Sequence, residues 1–209
     1  MIKYILISDG SSDRALINII NYTLKQQFNI DFDGERAEIG LFSRQKVKSL
    51  EEKIAVVIDY YEPSLIFIHR DAENQALEKR EEEIEVALVC ADKTKQYAKI
   101  IPIRMTESWL LIDEKAIRKA SGNPNGTMNL DIPNIQKLET LSDSKKTLEE
   151  ILKKASGLTG RRLRDLNTRQ SIQIIPEYLE DFSPLEKISS YQHFKKEVSK
   201  LNFETSINS

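Results

Sequence analysis

Three observations predict an α/β fold: a mostly parallel sheet of about four strands flanked by helices, with a helical carboxy-terminal extension. Short continuous apolar runs alternate with apolar residues at helical spacing as far as residue 122. Several of those runs end in acids, and beyond 122 only the helical period remains. Alternation of this kind implies right-handed crossovers and a sheet covered on both faces.

Taken in order, "IKYILIS" (2–8) reads as the first strand, and Leu16, Ile19, Ile20 and Leu24 recur as the inner face of the helix behind it. "RAEIGLFS" (36–43) reads as a second, weaker strand; Val47, Leu50, Ile54, Val57, Ile58 and Tyr61 then share one face of a helix that stops before Pro63. "SLIFIH" (64–69) has the most buried character of the strands, and a helix over about 75–93 carries Leu77, Ile84, Ala87, Leu88 and Ala91 inward. "AKIIPIR" (98–104) is the fourth strand; Pro102 has no N–H for a ladder, which places it near an edge or at a bulge. "ESWLLIDEKAIRKASG" follows as helix, closed by Gly122.

Residues 1–122 thus read as an α/β domain and 123–203 as a helical extension. In the extension, Leu148, Ile151, Leu152 and Ala155 share a face, "SPLE" (183–186) reads as a capping box with Pro184 at the first helical position, and Leu185, Ile188, Phe194, Val198 and Leu201 continue at helix-like spacing. The last six residues, "ETSINS" (204–209), are expected to form a flexible tail.

Composition narrows the function classes. The chain has 209 residues, 40% hydrophobic and 31% charged, enough for one sizeable core. With 31 basic against 33 acidic residues the net charge is −2, so any affinity for phosphate must come from a local patch. One cysteine, Cys90, excludes an internal disulfide, and with only two histidines no structural zinc site can be assembled. No apolar stretch approaches the ~18 residues of a membrane span, and no signal-peptide pattern opens the chain, so a cytoplasmic protein without membrane association is expected.

The acids at the strand ends carry the chemistry. In an open parallel sheet, ligands bind beyond the carboxyl ends of the strands, where loops converge. Asp9 ends the first strand, Asp71 and Glu73 follow the third, and Glu107 follows the fourth. Carboxylates that converge repel one another, and ionising together calls for a cation; Mg²⁺ suits a few carboxylate oxygens with water and phosphate. Asp13 fits a helix cap as well as it fits a ligand, and Glu107 fits an ordinary first-turn acid.

The acid and glycine with the "S-D" element after strand one, the acid-x-acid pair after a buried strand and the alternating frame resemble the Toprim domain of primases, topoisomerases and OLD-family nucleases. "PIRMTESWLL" (102–111) and "DSKKTL" (143–148) look like a bacterial Toprim-like group near the OLD and RloB-type defence proteins. Two positions depart from the Toprim pattern: Asp9 stands where Glu is usual, and Asp71-x-Glu73 replaces Asp-x-Asp. The resemblance implies a Mg²⁺-dependent nuclease acting on DNA or RNA in a prokaryotic defence setting. Asp9 would bind metal or act as acid or base, Asp71 and Glu73 would hold Mg²⁺, and Asp13 and Glu107 would serve a second ion, with Mn²⁺ as a substitute. Lys145 would stabilise phosphate charge, although a solvated helix-start lysine is as good a reading. The alternatives are a non-catalytic module acting with an ATPase in trans, since no Walker motif is present, or a small nucleotide phosphohydrolase.

Arg70 suits a phosphate contact or a pair with neighbouring acids. Arg161, Arg162 and Arg164 suit a phosphate clamp, but a solvated helix face is the commoner origin of such a run. His69 is expected to pack beneath the loop and Trp109 to sit in the core.

Overall fold

The computed structural model describes residues 1–41, 47, 49–73, 75–92 and 94–203. Four strands, β1 (Ile2–Ile7), β2 (Phe32–Arg36), β3 (Leu65–His69) and β4 (Gln96–Ile100), form one all-parallel sheet in the order β2-β1-β3-β4. Eight α-helices accompany them among the described residues: α1 (Leu16–Gln27), α2 (Leu50–Tyr61), α3 (Leu77–Leu88), α4 (Glu114–Ala120), α5 (Ser144–Ser156), α6 (Gly160–Arg164), α7 (Thr168–Tyr178) and α8 (Ser189–Ser199). None is long and apolar enough to cross a membrane.

Because side chains alternate along a strand, the two central strands feed two separate cores. Tyr4, Leu6, Leu65 and Phe67 face one side with Leu16, Ile19 and Ile20 of α1, Trp109, and the helices of the extension. Ile5, Ile7, Ile66 and Ile68 face the other with Ile54 and Val57 of α2 and Ile84 and Ala87 of α3. That double coverage explains why β1 and β3 read as unbroken apolar runs. The extension shares the first core without interruption: Leu148, Ile175, Tyr191, Phe194 and Val198 join it, and Trp109 lies fully buried with its indole N–H donating to Ser190 Oγ at 2.9 Å.

Several boundaries differ from those the sequence predicts. The second strand lies at Phe32–Arg36, not at 36–43; residues Ile39–Leu41 form a 3-10 turn, and Phe42 and Ser43 lie outside the described residues. β2 is an edge strand paired only to β1, so "FDGER" needs little apolar character, and Gly34 is required because a Cβ there would overlap the Tyr4 ring. The helix after β3 is shorter than 75–93, running Leu77–Leu88.

β4 is the other edge strand and runs Gln96–Ile100, not 98–104, so Pro102 lies beyond its end and not in the ladder. Beyond it the chain still accepts from the segment after β3: the N–H groups of Arg70, Ala72 and Glu73 donate to the carbonyls of Ile100, Pro102 and Arg104. The expected helix over 107–122 is split. A 3-10 turn, Thr106–Leu110, precedes α4, which starts afresh with Asp113 accepting from Lys115 and Ala116 N–H. Gly122, at φ +79°, closes α4 as expected, its N–H donating to Lys119 O and that of Asn123 to Arg118 O.

"SPLE" is not a capping box. Residues Ser183–Lys187 make a 3-10 turn in which Ser183 donates to Asp181, and α8 begins separately at Ser189. The first turn of α8 is instead held by Glu139, whose carboxylate accepts from the N–H groups of Ser189 and Ser190 and from Ser189 Oγ. The tail, 204–209, lies outside the described residues.

Candidate functional site

Connections leave β1 and β3 in opposite directions, β1 toward β2 and β3 toward β4, so the crevice at their carboxyl ends is where the strand order reverses. Adjacent loops part there and leave room for a ligand. A cavity of about 360 Å³ opens at this point. It is lined by Asp9, Gly10, Asp13, His69, Arg70, Asp71, Glu73, Arg80, Met105, Glu107 and Lys145. Residues from the ends of β1 and β3, the segment after β4 and the first turn of α5 thus meet around one space. Arg161, Arg162 and Arg164 do not line it: α6 exposes all three, and Arg161 pairs with Asp165 at 3.6 Å.

The centre of the floor is His69, the last residue of β3 and 3% exposed. Its Nε2 lies 2.9 Å from Thr106 Oγ1 and 3.2 Å from Asp71 Oδ1, and its Nδ1 lies 3.4 Å from Asp13 Oδ2. Burial opposes charge on the ring, but Asp13 and Asp71 outweigh it and the pKa is pushed up to about 10. The imidazolium so formed is a fixed cation between two carboxylates. Packing beneath the loop is therefore only half of what His69 does.

Both acids beside it have further backbone donors. Asp13 Oδ2 accepts from Gly10 N–H at 2.8 Å, so Asp13 holds its own turn as well as walling the cavity. Burial would raise its pKa; His69 and Gly10 more than offset that and hold it below the usual carboxylate range. Asp71 Oδ1 accepts from Thr106 N–H at 3.0 Å, which ties the end of β3 to the turn that carries Glu107. Nearby, Glu73 and Arg104 both have left-handed backbones, φ +53° and +71°, and are joined by the bond from Glu73 N–H to Arg104 O. Such conformations cost energy in non-glycine residues and collect at functional sites.

At the mouth, Asp9 is 53% exposed on its side chain and bonded through one oxygen to Lys53 and through the other to Arg70. Burial would raise its pKa, but the Lys53 bond and the Arg70 charge hold it low. Glu73 faces Arg80 at 3.7 Å. Glu107 is different: it is 6% exposed and makes no ion pair among the described residues. Burial, with the charges of Asp71 and Asp13, pushes its pKa up, and Lys145 offsets this only in part.

Among the described residues, no group of three or more His, Cys, Asp or Glu side chains could hold a metal ion. The donor chemistry nevertheless fits a hydrated divalent cation, because Mg²⁺ is commonly held by one or two carboxylates with waters and a substrate phosphate. The observation in favour is Glu107, a buried carboxyl on the cavity wall that makes no ion pair among the described residues. Lys53, Arg80 and Thr106 escape sequence reading altogether, because their role is set by contacts with residues 9, 73 and 71 and by no local motif.

Comparison of the chain with family models, with curated proteins and with solved structures gives no match to any of them.

Proposed function

We propose that the cavity at the ends of β1 and β3 is the active site of a Mg²⁺-dependent phosphodiesterase acting on nucleic acid. The observation that carries this is convergence. Asp9, Asp13, Asp71, Glu73 and Glu107, each selected from the sequence as a candidate ligand, line one space together with Arg70 and Lys145. Five carboxylates and several bases in one crevice suit a substrate that brings negative phosphate and a divalent cation together.

Asp71 and Glu107 are the residues best placed to hold the cation, since both face the cavity and Thr106 N–H fixes the first. A cation bound there supplies charge stabilisation at a phosphoryl oxygen and a water of lowered pKa. His69 orients Asp71 and, as imidazolium, lowers the repulsion between Asp71 and Asp13. Arg70, Arg80 and Lys145 offset the charge of a phosphate entering from the mouth. A prokaryotic defence setting is part of this proposal on the strength of the Toprim resemblance alone, a cytoplasmic location on the single cysteine and the lack of a membrane-length apolar stretch, and an ATPase acting in trans belongs to the alternative of a non-catalytic module.

A second reading, a phosphohydrolase of free nucleotides, is favoured by the modest volume of about 360 Å³ and by the arginines of α6 lying off the cavity. One assay separates the readings. The purified chain is incubated with single- and double-stranded DNA and RNA and with nucleotides, each with Mg²⁺, with Mn²⁺ and with chelator. Metal-dependent cleavage of polymer is expected; turnover of nucleotides alone selects the second reading, and no metal-dependent turnover of either overturns both.

A further inference from the structure

Asp9 is more exposed than either of the two cations it joins at the mouth. The side chains of Lys53 and Arg70 are 19% and 23% exposed, against 53% for Asp9. Arg70 is clamped from behind by Glu83, whose second oxygen accepts from Arg80 at 2.7 Å, and Arg80 in turn donates through Nε to Asp71 O at 3.0 Å. Arg70 Nε is buried and has no acceptor among the described residues. Two mostly covered cations, Lys53 from α2 and Arg70 from the end of β3, thus meet one half-exposed anion, and Arg70 is held from its far side as well. A carboxylate and a phosphate offer these cations the same kind of oxygen, and a phosphate offers more of them.

Charge balance points the same way. Asp9, Asp13, Asp71 and Glu73 each face a protein cation already. A divalent cation entering alone must compete with Lys53 and Arg70 for Asp9. An anion that takes over those two cations removes the competition.

We propose that Lys53 and Arg70 form a phosphate subsite which Asp9 fills in the resting protein, and that a phosphate displaces Asp9 toward the divalent cation, so that the two ligands bind cooperatively. The subsite stands on the ion-pair geometry; the coupling rests on the metal reading above. Coupling between two ligands is reciprocal, so each must tighten the other by the same factor.

Titration calorimetry with inorganic phosphate, with Mg²⁺, and with each in the presence of the other tests both parts. In the wild-type chain, Mg²⁺ is expected to tighten phosphate binding about tenfold, and phosphate to tighten Mg²⁺ binding equally. Asp9→Asn removes the resident anion; it should tighten phosphate binding without metal by about tenfold and abolish the coupling, whereas Lys53→Met and Arg70→Gln should each weaken phosphate binding by at least about tenfold. Phosphate binding that is unchanged or weaker in a folded Asp9→Asn protein, and unchanged in Lys53→Met, overturns the subsite. Tighter phosphate binding in Asp9→Asn with no Mg²⁺ binding in any protein upholds the subsite and overturns the metal reading. Mg²⁺ and phosphate that bind the wild type independently overturn the exchange.

Discussion

His69 and Asp71, two residues apart at the end of β3, turn back on each other: His69 Nε2 lies 3.2 Å from Asp71 Oδ1, and both bond to Thr106. On its other side the same ring faces Asp13 at 3.4 Å. The three side chains tie together the ends of β1, β3 and β4, and most of the site's electrical behaviour follows from them.

Stability should fall toward alkaline pH through His69. Its pKa is raised from 6.5 to about 10 in the folded chain, so between those values the native state holds a proton that the unfolded state has lost. The stabilisation is complete below about pH 6.5 and is lost as pH rises through about 10. With chelator present, His69→Gln should cost about 2 kcal/mol at pH 7 and flatten the decline in melting temperature between pH 7 and 10. An alkaline slope identical to the wild type assigns the charge elsewhere.

In a bare cluster of acids, neutralising one relieves repulsion and stabilises the protein. Asp71 is not bare, since it accepts from Thr106 N–H and faces the His69 cation. Asp71→Asn is therefore expected to lower stability by about 1–3 kcal/mol in chelator and to abolish metal-dependent turnover. Melts and cleavage assays on the same preparation check this, and a destabilised but fully active variant removes Asp71 from catalysis.

Glu107 should behave in the opposite sense. Burial and the charges of Asp71 and Asp13 raise its pKa, so above its ordinary value of 4.5 the native state keeps a proton longer than the unfolded state and the group costs stability as pH rises. Removing the charge with Glu107→Gln should raise the melting temperature at pH 8 in chelator by about 2–4 °C, and excess Mg²⁺ should stabilise the wild type more than the variant. A variant that melts lower than wild type at pH 8 makes Glu107 a structural residue.

Arg161, Arg162 and Arg164 are exposed on a five-residue helix away from the cavity. Replacing all three by Ala should change stability by less than about 0.5 kcal/mol. If strands of nucleic acid pass over α6 to reach the cavity, binding should weaken and the slope of log affinity against log salt should become shallower by about 2–3. A slope equal to the wild type returns the three to a solvated face.

The alternation of apolar runs with helical spacing determined the α/β class and the parallel sheet, because strand and helix periods are local properties; Pro102 left an edge or a bulge open and lies beyond β4, so the edge position was decided by the strand order. The location of the acids was equally legible: in a parallel sheet every strand ends on the same side, so Asp9, Asp71 and Glu107 had to approach one another. β2 was not legible, because an edge strand pairs on one side only and "FDGER" carries no apolar alternation. Nor was the charge state of the site. Lys53 meets Asp9 across 44 residues of chain, Thr106 meets Asp71 across 35, and Glu139 caps Ser189 across 50. Whether a carboxylate is paired, desolvated or free depends on what lies within a few ångströms of it, and only the packing of α2 and the turn after β4 against the ends of β1 and β3 decides that.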